Sequence, residues 1–443
     1  ASGYAGLPLD NNDNTNERGK GGVTLISTTD PADSKSVRFK IGARASQSQP
    51  AGTYTNTINF YAVTNPEPEL GPISCPAGKI CYNVNSLTPT EGEMGMQGDL
   101  GAGSSTAITN NSQPTLWASN FKKPGYGFAG WNTSYDYSGT NYGPNQTITA
   151  PSNVESSGLS LYAIWVPSAG DLQNWNGCSS LNQGDVTALK DSRDNNVYAV
   201  AKLADDKCWM IENLRLDNTP ELSSANTHNP SLPLNNSWYY KNQQGTLTTS
   251  NHLSTTSDPT STDPNTAWCD TNSSDCDDQS MLAANNTTLF TNNTASSYSA
   301  SSNVYSYGNY YNWYSATAGN GTYSKSSGNV SGDICPAGWH LPTGKNASGD
   351  FGVLDVAMGG TGASQSTVEA SNRWRTYPNN FVYSGSVSGS SVDIRGWYGG
   401  YWSSSTSSSN YAYFLYFLSD SVRPDTSNTN KYLGRMARCV AGV

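Results

Sequence analysis

Eight cysteines, at positions 75, 81, 178, 208, 269, 276, 335 and 439, constrain this chain more than any other feature, because none of them stands in a CxxC pair. Structural zinc sites usually draw their ligands from such tight knuckles, so the thiols are not read as metal ligands. An even number of cysteines without that spacing reads as a disulfide framework, and disulfides persist in exported proteins. Spacing leaves many connectivities open; the favoured set joins Cys75 to Cys81, Cys178 to Cys208, Cys269 to Cys276 and Cys335 to Cys439. The first and third close the short turn-rich loops CPAGKIC and CDTNSSDC. The second and fourth tie distant segments, where a crosslink restricts the unfolded chain most. Ala1 opens no signal peptide, which fits a mature or trimmed ectodomain.

At 443 residues the chain exceeds what one hydrophobic core supports, since cores stop growing near roughly 250 to 300 residues. Three domains are expected: 1–68, 69–166 and 167–443. Only 13% of residues are charged, well below the proportion usual in globular proteins, while Gly, Ser, Thr, Asn and Tyr abound. The 27 Tyr and 12 Trp suit all-β modules, whose strands favour aromatic residues and whose turns want Gly, Asn and Asp. A net charge of -10 without an offsetting basic cluster would repel a phosphate backbone, so nucleic acid is excluded as a partner. No run approaches the roughly 20 apolar residues of a spanning helix, so a membrane would be reached only through an anchor outside this sequence.

In the first segment, KSVRFKIGARASQSQPAGTYTNTINFYAV alternates on both sides of a Gln-Pro-Ala-Gly turn, with Val37, Phe39 and Ile41 on one face and Tyr54, Ile58 and Phe60 on another. These read as the closing strands of a β-sandwich. With only Val23 to Ile26 upstream as a further strand, the sandwich is partial, completed by a missing or neighbouring strand. TNPEPELGP follows as an extended linker. From Asn120 the chain reads NFKKPGYGFAGWNTSYDYSGTNYGPNQTITAPSNVESSGLSLYAIW. The PGYxFxGW core and the closing LYAxW strand resemble the internalin B-type, or Listeria-Bacteroides, repeat. That resemblance implies a small β-grasp-like spacer with Trp131 and Trp165 in its core.

Beyond Val166 four landmarks occur in order: GDVTALKDSRDNNVYAVAKLADDKCWMIENLRLD, ICPAGWHLPT, GGYWSSSTSSSNYAYFLYF and GRMARCV. Together they resemble the Fibrobacter succinogenes major paralogous domain, related to C-type-lectin-like and formylglycine-generating-enzyme-like folds. The resemblance implies a compact α+β domain around a small twisted sheet. The fold class expected is therefore mainly β and multidomain, with a C-terminal α+β C-type-lectin-like domain. The polar stretch between Asp217 and Asp333 reads as loops around a few short strands and one helix. Asp191, Arg193 and Asp194 read as a salt-bridged turn between strands Val186 to Leu189 and Val197 to Leu203, and Trp209 and Asn213 as buried anchors.

Catalytic side chains are sparse. His228 and His252 stand in polar loops and His340 in the CPAGWHLPT turn, while the reactive cysteine pair of formylglycine-generating relatives has no counterpart if all cysteines are bridged. No enzyme activity is expected. The acidic stretch around CDTNSSDCDDQS reads as a solvated loop, with calcium as the cation its hard oxygens would suit and Asp270, Asp275, Asp277 and Asp278 as the ligands.

The most informative stretch runs from Ile394 to Val440. Alternation along a strand places Tyr413, Leu415 and Phe417 on one face and Phe414, Tyr416 and Leu418 on the other. If the first set fills the core, the second forms an outward row of large apolar side chains, unusual unless a partner covers it. The region also resembles the variable part of proteins diversified by retroelements, whose ligand-binding residues sit on a C-type-lectin scaffold. Trp397, Tyr398, Tyr401, Asn410, Tyr411, Arg423, Asn428, Asn430 and Tyr432 fit that pattern. Tyr, Ser and Asn also dominate antibody paratopes, because Tyr supplies contact area at low entropic cost. The expectation is an adhesin or receptor of a bacterial cell surface that binds a protein or glycan on another cell. The alternative is a structural subunit of an extracellular filament or surface layer, self-assembled through the N-terminal β domain.

Overall fold

One long strand joins the two segments that the sequence divides at residue 166. The computed structural model describes residues 72–87, 90–98, 107–216, 223–228, 305–318, 320–321, 325–388, 391–431 and 433–442, with the backbone of Leu282–Ala284. The chain divides into two compact units, Ala1–Asn65 and Pro66–Val443. The expected partial sandwich of 1–68 lies outside the described residues, as do Cys269, Cys276, His252, Tyr432 and the four Asp proposed for calcium.

The first strands of the second unit are β1 (Ile80–Asn83), β2 (Met96–Gln97), β3 (Tyr126–Asn132), β4 (Asn141–Tyr142) and β5 (Leu159–Asp171), with α1 (Val154–Ser157) leading into β5. They are followed by β6 (Val186–Lys190), β7 (Val197–Lys202) and β8 (Cys208–Met210). The first half of β5 pairs in parallel with β1 and antiparallel with β3, while its second half, from Ser168, pairs in parallel with β6. The expected border at 166/167 therefore falls inside a strand, and the two segments share a sheet.

The middle of the unit contributes short pieces: β9 (Leu282–Ala284), β10 (Tyr310–Tyr311), α2 (Trp313–Ala316), β11 (Gly328–Asn329) and β12 (Trp339–His340). Two helices follow, α3 (Asp350–Ala357) and α4 (Val368–Arg375), the latter capped by the Thr367 side chain, which accepts from Ala370 N. Then come β13 (Ser386–Ser388), β14 (Ser391–Asp393), β15 (Gly399–Thr406), β16 (Tyr411–Phe417), β17 (Val422–Arg423), β18 (Asn428–Asn430) and β19 (Val440–Ala441). The larger sheet has the order β12-β19-β8-β7-β6-β5-β1-β2, with β3 on β5 and β4 on β3. The second has the order β11-β15-β16-β17, with β18 also on β16. The architecture is thus mainly β, with two principal sheets and a few short helices. Among the described residues no helix is long and apolar enough to cross a membrane.

Three cores fill this frame. Trp131, Phe128, Trp165 and Leu161 pack in the first, so the two tryptophans expected inside are inside. The other two lie on opposite faces of the same strands. Along β7, Tyr198 and Val200 enter one cluster and Ala199 and Ala201 the other, as strand alternation requires. β16 does the same, with Ala412 and Phe414 on one side and Leu415 and Phe417 on the other. Disulfides Cys75–Cys81, Cys178–Cys208 and Cys335–Cys439 form as expected.

A buried carboxylate fastens the first core to the other two. Glu212 Oε2 accepts the backbone N–H of Phe128 on β3 at 3.0 Å and of Ala199 on β7 at 2.7 Å, while Oε1 accepts from Arg215 Nη1 at 3.0 Å. Burial pushes the Glu212 carboxyl up, against the opposing pull of Arg215. Replacing Glu212 by Ala strands the Arg215 guanidinium and two amides, and is expected to cost roughly 3 to 5 kcal/mol. Denaturant unfolding of the wild type and the variant checks this, and a change under about 1 kcal/mol would contradict it.

Candidate functional site

The strand that sequence alternation turns outward is covered on both faces. Phe414 is only 6% exposed and packs edge-on against Trp402, with ring centroids 6.1 Å apart. Tyr416 and Leu418 are half-buried against the same cluster. The outward row of Phe414, Tyr416 and Leu418 is therefore corrected: β16 lies between two cores, and large apolar residues are needed on both sides. Tyr398 and Tyr401 are also core residues, the latter stacked on Phe417. The cue stood in the sequence, because AYFLYFL is an unbroken apolar run, which marks a strand buried on both faces.

The remaining expected residues separate to the two ends of the second sheet. At one end Tyr411 pairs with Asn430 and Tyr413 with Asn428, beside Asn410; Tyr411 and Asn428 are exposed and Asn410 and Asn430 half-buried. At the other end Gly399 pairs with Phe417 and Gly400 with Tyr416, so Trp397 and Tyr398 enter β15 where Tyr416 and Leu418 leave β16. Arg423 pairs with Tyr416 across β17 and lays its guanidinium over that ring, 5.3 Å from the centroid.

This second end presents the most exposed aromatic ring of the described residues. Trp397 is 70% exposed, with Ile394 three residues before it also open to solvent. The turn that carries them is fixed. Trp397 N donates to Ile394 O, Gly396 N to Tyr383 O and Gly385 N to Tyr398 O, while Arg395 Nε donates to the Tyr310 hydroxyl at 3.0 Å. Ile394 adopts a left-handed backbone with φ 53°, costly for a β-branched residue and of the kind that concentrates at functional sites.

Beneath this surface lies Arg435, which sequence reasoning missed. Its guanidinium lies over the rings of Tyr398, 5.0 Å from the centroid, and Phe414, 4.8 Å from the centroid. Nε and Nη1 of Arg435 and the Tyr398 hydroxyl are buried and find no hydrogen-bond partner. Gly400 makes the space: a Cβ there would fall 2.9 Å from Arg435 Cδ and 2.5 Å from the Tyr398 oxygen. Burial lowers the Arg435 pKa and raises that of Tyr398.

A separate pair of histidines meets near the Cys335–Cys439 bridge, their ring centroids 6.3 Å apart. His228 Nδ1 lies 3.0 Å from Asp333 Oδ2, and His340 Nε2 lies 3.5 Å from Asp350 Oδ2. Asp333 also accepts from Cys335 N and Leu341 N, and Asp350 from Lys207 Nζ at 2.6 Å and from Thr343. These carboxylates order the CPAGWHLPT turn, consistent with the structural role expected of His340. The Asp191–Arg193 pair, 2.7 Å and fully buried, likewise closes the turn between β6 and β7.

Among the described residues no group of three or more His, Cys, Asp or Glu side chains is placed to hold a metal ion, which counts against calcium as a cofactor; the four Asp read as its ligands lie outside those residues. The hydrogen bond with Asp333 raises the His228 pKa above its ordinary value, against burial. Its stabilising contribution is thus fully present below that ordinary value and is lost as pH rises through the raised one. His228→Gln should lower the melting temperature more at about pH 5.5 than at about pH 9. Equal losses at both pH values in thermal unfolding would show that the imidazole is not charged in the pair.

No family model, curated protein or solved structure matches this chain.

Proposed function

We propose that this chain is an extracellular ligand-binding protein of a bacterial cell surface, which engages its ligand through the end of the second sheet that carries Trp397. The single observation behind this reading is Trp397 itself, a wide-open indole on a turn pinned by backbone hydrogen bonds. Of the other tryptophans, Trp131, Trp209, Trp313, Trp339, Trp374 and Trp402 are fully buried. A rigid, exposed Trp offers a partner a large contact area at little entropic cost, which is why Trp is enriched at binding hot spots.

Further support comes from three disulfides, which suit an exported protein. In this reading residues 167–443 form a C-type-lectin-like head and 69–166 an internalin B-type, β-grasp-like segment that shares β5 with it. Any diversification by a retroelement falls on the exposed positions Trp397, Tyr411, Arg423 and Asn428, because scrambling Tyr398, Tyr401 or Phe414 would disrupt the core. Assembly into a filament was expected to run through the N-terminal β domain, 1–68, which lies outside the described residues, and no observation favours it.

The test is binding of the labelled full chain to an array of purified glycans and cell-surface proteins. Trp397→Ala should weaken retention on the order of 10- to 100-fold, the range of a hot-spot truncation. Tyr411→Ala, at the opposite end of the sheet, should change it less than about threefold, as for a non-central contact. Retention of the Trp397→Ala protein equal to wild type would sink the proposal.

A further inference from the structure

Two histidines beside the Cys335–Cys439 bridge take no part in the Trp397 surface, and each is backed by a carboxylate through one ring nitrogen. His228 Nδ1 lies 3.0 Å from Asp333 Oδ2, and His340 Nε2 lies 3.5 Å from Asp350 Oδ2. The carboxylates are held in turn: Asp333 accepts from Cys335 N and Leu341 N, and Asp350 from Lys207 Nζ and from Thr343. A carboxylate behind one nitrogen of an imidazole fixes the tautomer in which the other nitrogen carries a lone pair, and this is the usual outer contact of a metal-ligating histidine.

The remaining nitrogens, His228 Nε2 and His340 Nδ1, have no hydrogen-bond partner among the described residues, and neither is shut away from water. The two side chains keep 31% and 27% of their surface open, so an ion in solution reaches them. Their ring centroids are 6.3 Å apart. Two imidazoles that share one ion at about 2.0–2.1 Å per nitrogen have centroids roughly 5 to 6.5 Å apart, depending on the angle at the ion. The backbone sets this spacing. His228 N donates to Cys335 O at 2.8 Å and Asp333 N to His228 O at 3.2 Å, while His340 lies on β12 at the edge of the larger sheet. Imidazole nitrogens select late first-row ions such as zinc, nickel and copper, whereas calcium requires an oxygen cage that two histidines do not provide.

We propose that His228 and His340 form a two-histidine site for a divalent ion of the zinc, nickel and copper class, with Asp333 and Asp350 holding the rings and water completing the shell. A bound ion joins residues 223–228 to the CPAGWHLPT turn and stabilises the folded chain, because the unfolded chain does not hold the two rings together. The site is independent of the Trp397 surface.

Thermal unfolding of the full chain, first stripped of metal with a chelator, is followed against increasing Zn²⁺ and Ni²⁺, with Mg²⁺ as the oxygen-seeking control. A saturable rise in melting temperature is expected with Zn²⁺ or Ni²⁺ and none with Mg²⁺. His228→Gln and His340→Gln should each raise the concentration that gives half the rise about 10-fold or more, since loss of even an outer contact of a ligating histidine costs that much. The chain has three histidines, so His252→Gln is the control for adventitious binding and should leave the response unchanged.

Should a Gln variant not fold, electron paramagnetic resonance of the wild-type chain with one equivalent of Cu²⁺ decides in its place, and coupling to two imidazole nitrogens is expected. A wild-type melting temperature that Zn²⁺ and Ni²⁺ leave unmoved would overturn the proposal. So would an undiminished response in either the His228 or the His340 variant, a response abolished by His252→Gln, or Cu²⁺ coupled to a single nitrogen.

Discussion

The buried Glu212 carboxylate is the contact on which the rest of the second unit depends. It accepts amides from β3 and β7, so one side chain sets the distance between the first core and the other two. That distance is short. A Cβ on Gly127 would fall 2.4 Å from Ala199 N, so glycine at this position is a condition of the approach. Arg215 compensates the charge, donates to Val197 O at 3.0 Å and lies between the rings of Tyr198 at 4.5 Å and Tyr305 at 4.3 Å. A carboxylate taken out of water this completely is tolerable only with its cation and its amides in place, so the contact forms as a whole or not at all.

A second set of polar ties repeats the same logic farther along the sheet. Asn372 on α4 exchanges hydrogen bonds with the backbone of Thr147, and Asn380 Nδ2 donates to Ala129 O at 2.7 Å. These are side chains of the last hundred residues satisfying backbone groups of the 126–150 segment. Each buried backbone group must find a partner, and here the partners come from the other segment. This is why residues 72–166 and 167–442 share one sheet and one set of contacts, although their sequence patterns differ.

Local alternation made much of this readable. The strands flanking the Asp191 turn follow from alternation, the buried Trp131 and Trp165 were implied by the resemblance to the internalin B-type repeat, and the three cysteine pairings belong to the favoured set among connectivities that spacing leaves open. The continuity of β5 was not readable, because LSLYAIWVPSAGD contains a proline and turn residues that look like the end of a module. Residues 168–171 are strand because β6 pairs with them, which is a tertiary effect on a weak local preference. The face of β16 was misread for a related reason. Alternation assigns two faces but does not say that one of them meets water, and here the side of Phe414 meets Trp402 and Arg435.

Arg435 was invisible for a deeper reason: RMARCV holds two arginines, and only packing decides which of them finds acceptors. Strand geometry sends Arg435 and Arg438 to different environments. Arg438 reaches carbonyls beside Phe381 and Tyr401, in the cluster of Leu415 and Phe417. Arg435, whose backbone exchanges two hydrogen bonds with Tyr311, is directed over Gly400 into the cluster of Tyr398 and Phe414. The burial of Phe414 thus removes the aromatic row from the surface and, in the same step, builds the ring stack that orients the cation below it.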